Sequence, residues 1–350
     1  MAALLHHLGP HLDPCDVELV LLDTEPVEQN LPEWLRLEVL NGQKKLVQSY
    51  RELRRYWRAR GAPTVCVSYL TRSNCLNVWL QREFGHKAVI SERVHSSSHF
   101  ANSKAGVISA QLVRWSYRHA KRVIAVSGGV KADLVANFRV PAGLVDVIGN
   151  PVDGAALRAR AEGAPDIDLP ERFILAMGRL VKSKNFGHFL AGYARSDAPD
   201  LVLLGQGPLE ADLRAAAAAL GIADRVHLPG FVTNPYPVLA RAEALVSTSL
   251  AEGFPNTVIE AMCLGVPIVA TDTMAGAAQV LDGPEGPAIL VPEGDVGALG
   301  AAITRMMQPD VRADHAARSA RAAQQFGVQS VIDDYLIIIH DQLGQNPQEV

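Results

Sequence analysis

Short, apolar, β-branched runs recur through this chain with helical stretches between them, and this alternation constrains the fold more than any other feature. The runs are VELVLLD (17–23), TVCVSYL (64–70), KAVIS (87–91), RVIAVS (122–127), RFILAMG (172–178), DLVLLG (200–205), RVHLPG (225–230), EALVSTS (243–249) and PIVATD (267–272). Strands buried on both faces read as continuous apolar runs, and helical crossovers between them make them parallel. The pattern predicts an α/β chain of doubly wound sheets with helices on both faces. At 350 residues the chain exceeds one ordinary core and fits two domains of about 150–200 residues. A Pro-, Gly- and Asp-rich connection, 150–172, separates two series of runs. The expected organisation is two Rossmann-like domains, 1–150 and 151–325, facing one another across a cleft. A C-terminal helix and tail, 326–350, is expected to pack back toward the first.

Composition narrows the class. With 48% hydrophobic and 20% charged residues the chain reads as a globular enzyme rather than a disordered or fibrous one. Cys15, Cys66, Cys75 and Cys263 form no CxxC pattern, which favours a reducing cytoplasm over a disulfide framework or a zinc site. No apolar run reaches the roughly 18–20 residues of a membrane span. The net charge of −4 hides an asymmetry, +6 over residues 1–150 and −10 over the remainder. Much of the basic excess lies in KKLVQSYRELRRYWRAR (44–60), where Leu46, Val47, Tyr50, Leu53 and Trp57 recur at helical spacing. That segment reads as a solvated helix face or as a helix resting on an anionic membrane surface, which would make the protein peripheral. No nucleic-acid reader motif accompanies it.

In open α/β sheets, ligands sit outside the carboxyl ends of the strands, on loops leading into helices. One such loop carries Arg179 and Lys184; another carries AEGFPNTVIEAMCLG (251–265), with Glu252 before a helix start and Glu260 inside it. Pro255 suits an early helical position and Gly265 the stop. Two cations beside a helix N-terminus can clamp a diphosphate with side-chain charge and backbone N–H groups. The carboxylates, acceptors only, suit paired sugar hydroxyls on either side.

GRLVKSKNF, LLGQGPLEADLRAAAAALGIADRVHLPGF, NPYPVLARAEALVSTSLAEGFPNTVIEAMCLGVPIVATD and AILVPEGDVGALGAAI closely resemble the C-terminal half of retaining glycosyltransferases of family 4, of the kind that build bacterial surface polysaccharides and lipid-linked saccharides. That family has the GT-B fold, and Glu252 and Glu260 match the spacing of its E-x7-E motif. The resemblance implies that Arg179 and Lys184 bind the diphosphate and stabilise it as it leaves. It implies that Glu252 meets the donor sugar, Glu260 the nucleotide ribose, and the Phe231 loop the base. Gly178, Gly207, Gly253, Phe254, Pro255, Asn256 and Thr257 complete the expected donor side. The donor would be a nucleotide-diphosphate sugar, commonly UDP-linked, and the acceptor a saccharide or lipid-linked saccharide. Front-face transfer with retention, as commonly described for the family, needs no metal and no cofactor beyond this co-substrate. The Asp166–Asp168 DID reads as linker rather than as a metal motif.

SYLTRSNCLNVWL, KAVISERVHSSS, RVIAVSGGVKADL and VIGNPVDG look more loosely like the family's acceptor-side domain, with Glu92, Arg93 and His95 as acceptor-side candidates. For each of the three, an ion pair or a satisfied loop position is an equal alternative. His99 is a weaker candidate. Two departures stand out. Relatives open with a strand and a glycine-rich loop where this chain begins at MAALLHHLGPHLD, so the first domain is expected to lack its first, central strand, a deficit of about 15–25 residues. In DTMAGAAQVL (272–281) relatives often carry a Gly-Gly pair and an acid. Two other readings keep the fold: a nucleotide-sugar epimerase, and a nucleotide-sugar-binding protein with impaired catalysis.

Overall fold

The computed structural model describes residues 2–12, 17–24, 31–101, 106–250, 252–272, 281 and 286–345. The chain divides into two units, Met1–Pro151 with Val328–Val350, and Val152–Gly327.

The first unit runs α1 (Ala2–Leu8), β1 (Glu18–Leu21), β2 (Arg36–Val39), α2 (Leu46–Arg60), β3 (Val65–Tyr69), α3 (Thr71–Phe84), β4 (Lys87–Glu92), α4 (Ser96–Ala101), α5 (Gly106–Tyr117), β5 (Arg122–Ala125), α6 (Gly128–Phe138) and β6 (Val145–Val147). Among the described residues its parallel strands form two sheets, β3-β4-β5-β6 and β1-β2. Both sheets contribute to one core: Leu40, Leu53, Trp57, Leu76 and Leu80 bury together, with Val20, Leu22 and Cys66 against them. A second cluster joins Val89, Ile124 and Ile148 to Leu4 and Leu8 of α1 and to Val331, Ile332 and Tyr335 of the last helix, Val328–Leu343.

The second unit runs α7 (Gly154–Ala161), β7 (Phe173–Met177), α8 (Phe186–Tyr193), β8 (Asp200–Leu204), α9 (Glu210–Ala219), β9 (Val226–Gly230), α10 (Tyr236–Leu239), β10 (Leu245–Ser247), α11 (Asn256–Cys263), β11 (Ile268–Thr271), β12 (Ala288–Val291), α12 (Val296–Met306) and α13 (Pro309–Ala322). Its strands form one parallel sheet in the order β12-β11-β10-β7-β8-β9. From β7 the chain winds outward through β8 and β9, then returns to the other side of β7 and winds outward again from β10. The neighbours β7 and β10 therefore mark the point where the winding reverses. One face buries Ile174, Phe189, Leu190, Tyr193, Leu201, Leu203, Leu299 and Ile303 in a single cluster.

Two elements go beyond the apolar runs. The connection 150–172 contains α7, which Asp153 caps by accepting from the N–H groups of Ala155 and Ala156 at 3.0 and 2.9 Å. β2 is a strand that the apolar runs do not reveal, since Arg36 and Glu38 alternate with Leu37 and Val39.

Candidate active site

A reversal of winding leaves a crevice at the carboxyl ends of the two strands that flank it. Here those strands are β7 and β10, and the loops leaving them carry Lys184 and Glu252. The Lys184 ammonium donates to Glu252 Oε1, with the two side chains 21% and 20% exposed. The backbone fixes this meeting. Leu250 N–H donates to Ser183 O at 2.8 Å, and the buried Thr248 hydroxyl donates to Lys184 O and Asn185 O at 3.1 and 3.2 Å. Asn185 adopts a left-handed conformation, φ 53°, and starts α8. Arg179 is exposed immediately after Gly178.

The strand ends below these side chains come unusually close. A Cβ on Gly205, φ 139°, would lie 1.9 Å from Gly178 O, and one on Gly207 would lie 2.5 Å from Leu180 O. Gly178 in turn lies beneath Lys184, whose Cε would sit 3.1 Å from an added Cβ. The loops after β7 and β8 are further joined by Gly178 N–H to Leu204 O and Leu180 N–H to Gln206 O, both 2.9 Å. The glycines thus let the backbones of the two loops pack directly on one another beneath Lys184, where no side chain would fit.

Helix α11 begins after Pro255, which is its N-cap rather than its first helical residue, and no side chain caps its start. Gly253 and Thr257 are partly buried and Asn256 is exposed. Phe254 departs from the expected donor contact: it is buried and meets Phe326 edge-on at 5.8 Å, so it anchors the turn from within. Gly265, φ 68°, ends the helix as expected. Glu260 lies in the second turn of α11. The Tyr236 hydroxyl donates to its Oε1 at 3.5 Å, and Arg160 of α7 lies over the Tyr236 ring at 4.4 Å. Burial pushes the Glu260 carboxyl above its ordinary pKa, against the opposing pull of the Tyr236 hydrogen bond and the Arg160 charge. Phe231, 68% exposed, follows β9 on the same carboxyl end of the sheet.

The first unit treats its three candidates differently. Glu92, at the end of β4, has no exposed surface and so does not face an acceptor. Its Oε1 accepts from the N–H groups of Arg93 and Val94 at 3.0 and 3.2 Å, and Oε2 accepts from the Tyr117 hydroxyl. Burial raises its pKa, opposed chiefly by the Tyr117 hydrogen bond. Asn74 links this pair inward, donating to Tyr117 Oη at 3.0 Å and Ser91 O at 2.9 Å. Arg93 is partly buried; its guanidinium donates to Asn150 Oδ1 and to the Tyr335 hydroxyl at 3.0 Å and stacks on Tyr69 at 5.1 Å. His95 lies 3.7 Å from Asp133, whose carboxylate also accepts from Ser97 and Asn137.

In α2, Leu53 and Trp57 are buried while Val47 turns outward, away from the stripe to which its spacing assigned it. Arg54 and Arg58 bind Glu83 of α3, and Arg55 binds Glu52. Asp166 and Asp168 line an open depression with Pro165, Ile167 and Pro229. The segment DTMAGAAQVL lies outside the described residues except at Asp272 and Leu281, as does Cys15.

Sequence reasoning overlooked Gly205, Thr248, Tyr236 and Arg160. The Gly-Gln-Gly at 205–207 was the available signal for the first. The others depend on contacts between segments far apart in the chain.

Comparison with known proteins covers both units. A model described as "Glycosyl transferase 4-like domain" matches residues 2–151, and one described as "Glycosyl transferases group 1" matches residues 171–309. Among curated proteins, N-acetylgalactosamine-N,N'-diacetylbacillosaminyl-diphospho-undecaprenol 4-alpha-N-acetylgalactosaminyltransferase of Campylobacter jejuni is 32% identical over 216 residues, covering 61% of this chain and 58% of that protein. The match therefore spans less than two thirds of that relative's length. Among solved structures, a lipopolysaccharide outer core galactosyltransferase in its apo form superposes with a TM-score of 0.75 at 20% identity, over 97% of this chain and 94% of that one. HepE of Anabaena, solved with UDP and glucose, gives 0.76 at 18% identity over 97% and 95%. At these identities the likeness is one of fold, the two-domain Rossmann-like GT-B fold.

Proposed function

As the chain belongs to the glycosyltransferase family defined by the 4-like and group 1 domains, we propose that it moves a hexose or N-acetylhexosamine from a nucleotide-diphosphate sugar, UDP-linked by preference, to a saccharide or lipid-linked saccharide, with retention at the anomeric carbon. The observation that carries this reading is the meeting of Lys184 and Glu252 over a glycine floor, where the winding of the second sheet reverses.

The chemistry follows from charge. Breaking the bond from the sugar's anomeric carbon to the phosphate oxygen builds negative charge on the departing diphosphate. Lys184 and Arg179 supply positive charge at the strand end, and the uncapped start of α11 adds N–H dipoles. Charge stabilisation already in place before reaction is the contribution that often dominates catalysis. The acceptor oxygen bonds to the anomeric carbon on the face the phosphate leaves, and its proton passes to the departing phosphate oxygen. This arrangement calls for no metal, because the two side-chain cations take the place of one. Glu252 holds sugar hydroxyls and orients Lys184, and Glu260 holds the ribose hydroxyls. In the first unit, Arg93 and His95 are the acceptor-side residues, with Glu92 holding their loop from beneath.

The relatives' printed names include a diphospho-undecaprenol substrate and lipopolysaccharide, and their likeness supports a lipid-linked acceptor met at the cytoplasmic face of a membrane. Among the described residues no helix is long and apolar enough to cross one. Residues 44–60 offer one basic surface for peripheral contact, although three of its arginines are spent on carboxylates.

A panel of nucleotide-sugars tested with and without saccharide acceptors checks the proposal. UDP release that depends on acceptor is expected. Conversion of the donor to an epimer without acceptor, or nucleotide binding with no turnover across the panel, would replace it.

A further inference from the structure

Helix α5 is apolar on two opposite sides. Val113 and Tyr117 point inward and are buried. At the spacing of one helical stripe, Ile108, Leu112 and Trp115 lie on the opposite side, with Ile108 70% and Trp115 40% exposed. A helix of a globular protein normally turns charged or polar residues to solvent on that side.

The charge around it is one-sided. Between Glu92 and Asp133 the chain contains no Asp or Glu and seven Lys or Arg, of which Arg122 pairs with Asp146 and Arg93 is bound within the fold. Arg82 of α3 stacks on the Trp115 ring at 4.8 Å, and His119 lies 4.7 Å from the same ring. The neighbouring carboxylates are already occupied: Glu83 of α3 by Arg54 and Arg58, and the buried Asp133 of α6 by Ser97 and Asn137. Exposed apolar side chains with an amphipathic Trp, flanked by Arg82, Arg114 and Arg118, match an anionic lipid bilayer, where Trp and Arg sit at head-group depth and apolar side chains enter below. The exposed side of α2 offers a single large apolar side chain, Val47, and its arginines are partly neutralised within the fold.

We infer that the outer side of α5, centred on Ile108 and Trp115 and flanked by Arg82, Arg114 and Arg118, is the surface that seats the first unit on an anionic lipid bilayer. The inference deepens the reading of a lipid-linked acceptor and rests on that reading for its purpose, but it is tested without donor or acceptor.

The test is co-sedimentation of the full chain with vesicles of phosphatidylcholine containing about 30% phosphatidylglycerol and with vesicles of phosphatidylcholine alone, followed also by tryptophan fluorescence. Binding to the anionic vesicles is expected, with a blue shift that Trp115→Phe removes. Ile108→Asp should weaken binding by at least roughly tenfold while leaving melting temperature and UDP affinity as in the parent. Arg51→Glu, on the exposed side of α2, should weaken it less. The inference is overturned if the parent ignores anionic vesicles, if Arg51→Glu abolishes binding and Ile108→Asp does not, or if Ile108→Asp instead converts a dimer to a monomer in sedimentation velocity. The last result would assign the surface to a second copy of the chain. Loss of UDP affinity in the parent would count against the proposed function and leave the vesicle result standing.

Discussion

Lys184 and Glu252 bind one another across the reversal of the second sheet, 68 residues apart in the chain. Their backbones are joined by the Thr248 and Leu250 hydrogen bonds, so each charge is held in place before any ligand arrives. A diphosphate that enters must share Lys184 with Glu252, whereas a sugar hydroxyl gains Glu252 as an acceptor. The two residues should therefore separate in their effects.

Replacing Lys184 with Ala removes a diphosphate partner and leaves Glu252 partly buried without its cation. Weaker UDP binding by calorimetry and a lower transfer rate are expected together, each by at least tenfold, the scale of one charge-assisted hydrogen bond of roughly 1.5–3 kcal/mol. Arg179, more exposed, should cost less in affinity when replaced by Ala.

Gly205→Ala should destabilise the second unit. Its φ of 139° disfavours any side chain, and the added carbon would fall 1.9 Å from Gly178 O. A loss of roughly 1–3 kcal/mol, the range for overpacking, should appear in denaturant melts, together with weaker UDP binding as the floor shifts. Gly187→Ala, in α8 with nothing near the added carbon, should be neutral or slightly stabilising.

Glu260 gives a pH-dependent signature. Burial favours its neutral form in the folded state, so its folded pKa lies above the unfolded value of 4.5. An acid raised in this way costs stability as pH climbs from the unfolded pKa through the folded one, because only the unfolded chain releases its proton freely. Glu260→Gln has no such window, and groups common to both proteins cancel in the difference. The variant's melting temperature minus the parent's should become more positive from pH 4 to pH 7, by a few degrees if the burial cost is about 1 kcal/mol. A constant difference would contradict the assignment. The same substitution should weaken UDP binding at neutral pH.

Tyr117→Phe isolates the role given to Glu92. It removes a donor from a fully buried carboxylate and a partner from Asn74. A loss of roughly 1–3 kcal/mol is expected, with UDP binding to the second unit unchanged. Unaltered stability would contradict the role of the Tyr117–Glu92 pair in holding this loop.

Lys184 and Glu252 were readable in the sequence because each lies a few residues past an apolar run, and strand ends of parallel sheets gather such loops at one edge. Phe254 and Glu92 were misread for a shared reason. Phe254 lies in a loop and Glu92 is a charged residue at a strand end, and local pattern places both at the surface. What buries them comes from afar: Phe326 lies 72 positions beyond Phe254, and Tyr117 lies 25 beyond Glu92. Helix α7 was hidden because Leu157 is its one buried residue, too little for a period, and its start signal was a lone Asp153. The apolar runs predicted parallel sheets in the first unit but not their division, since β1 and β3 resemble the strands of a continuous sheet.

The division of the donor between cations and carboxylates is tested most directly by measuring kcat and UDP affinity together for Glu252→Ala. Transfer should fall by at least roughly 100-fold, as when a group acting on the transition state is removed, while the UDP Kd stays within about threefold or tightens as Lys184 is released. Full transfer rate, or a loss of UDP affinity as large as the loss of rate, would contradict the assignment of Glu252 to the sugar.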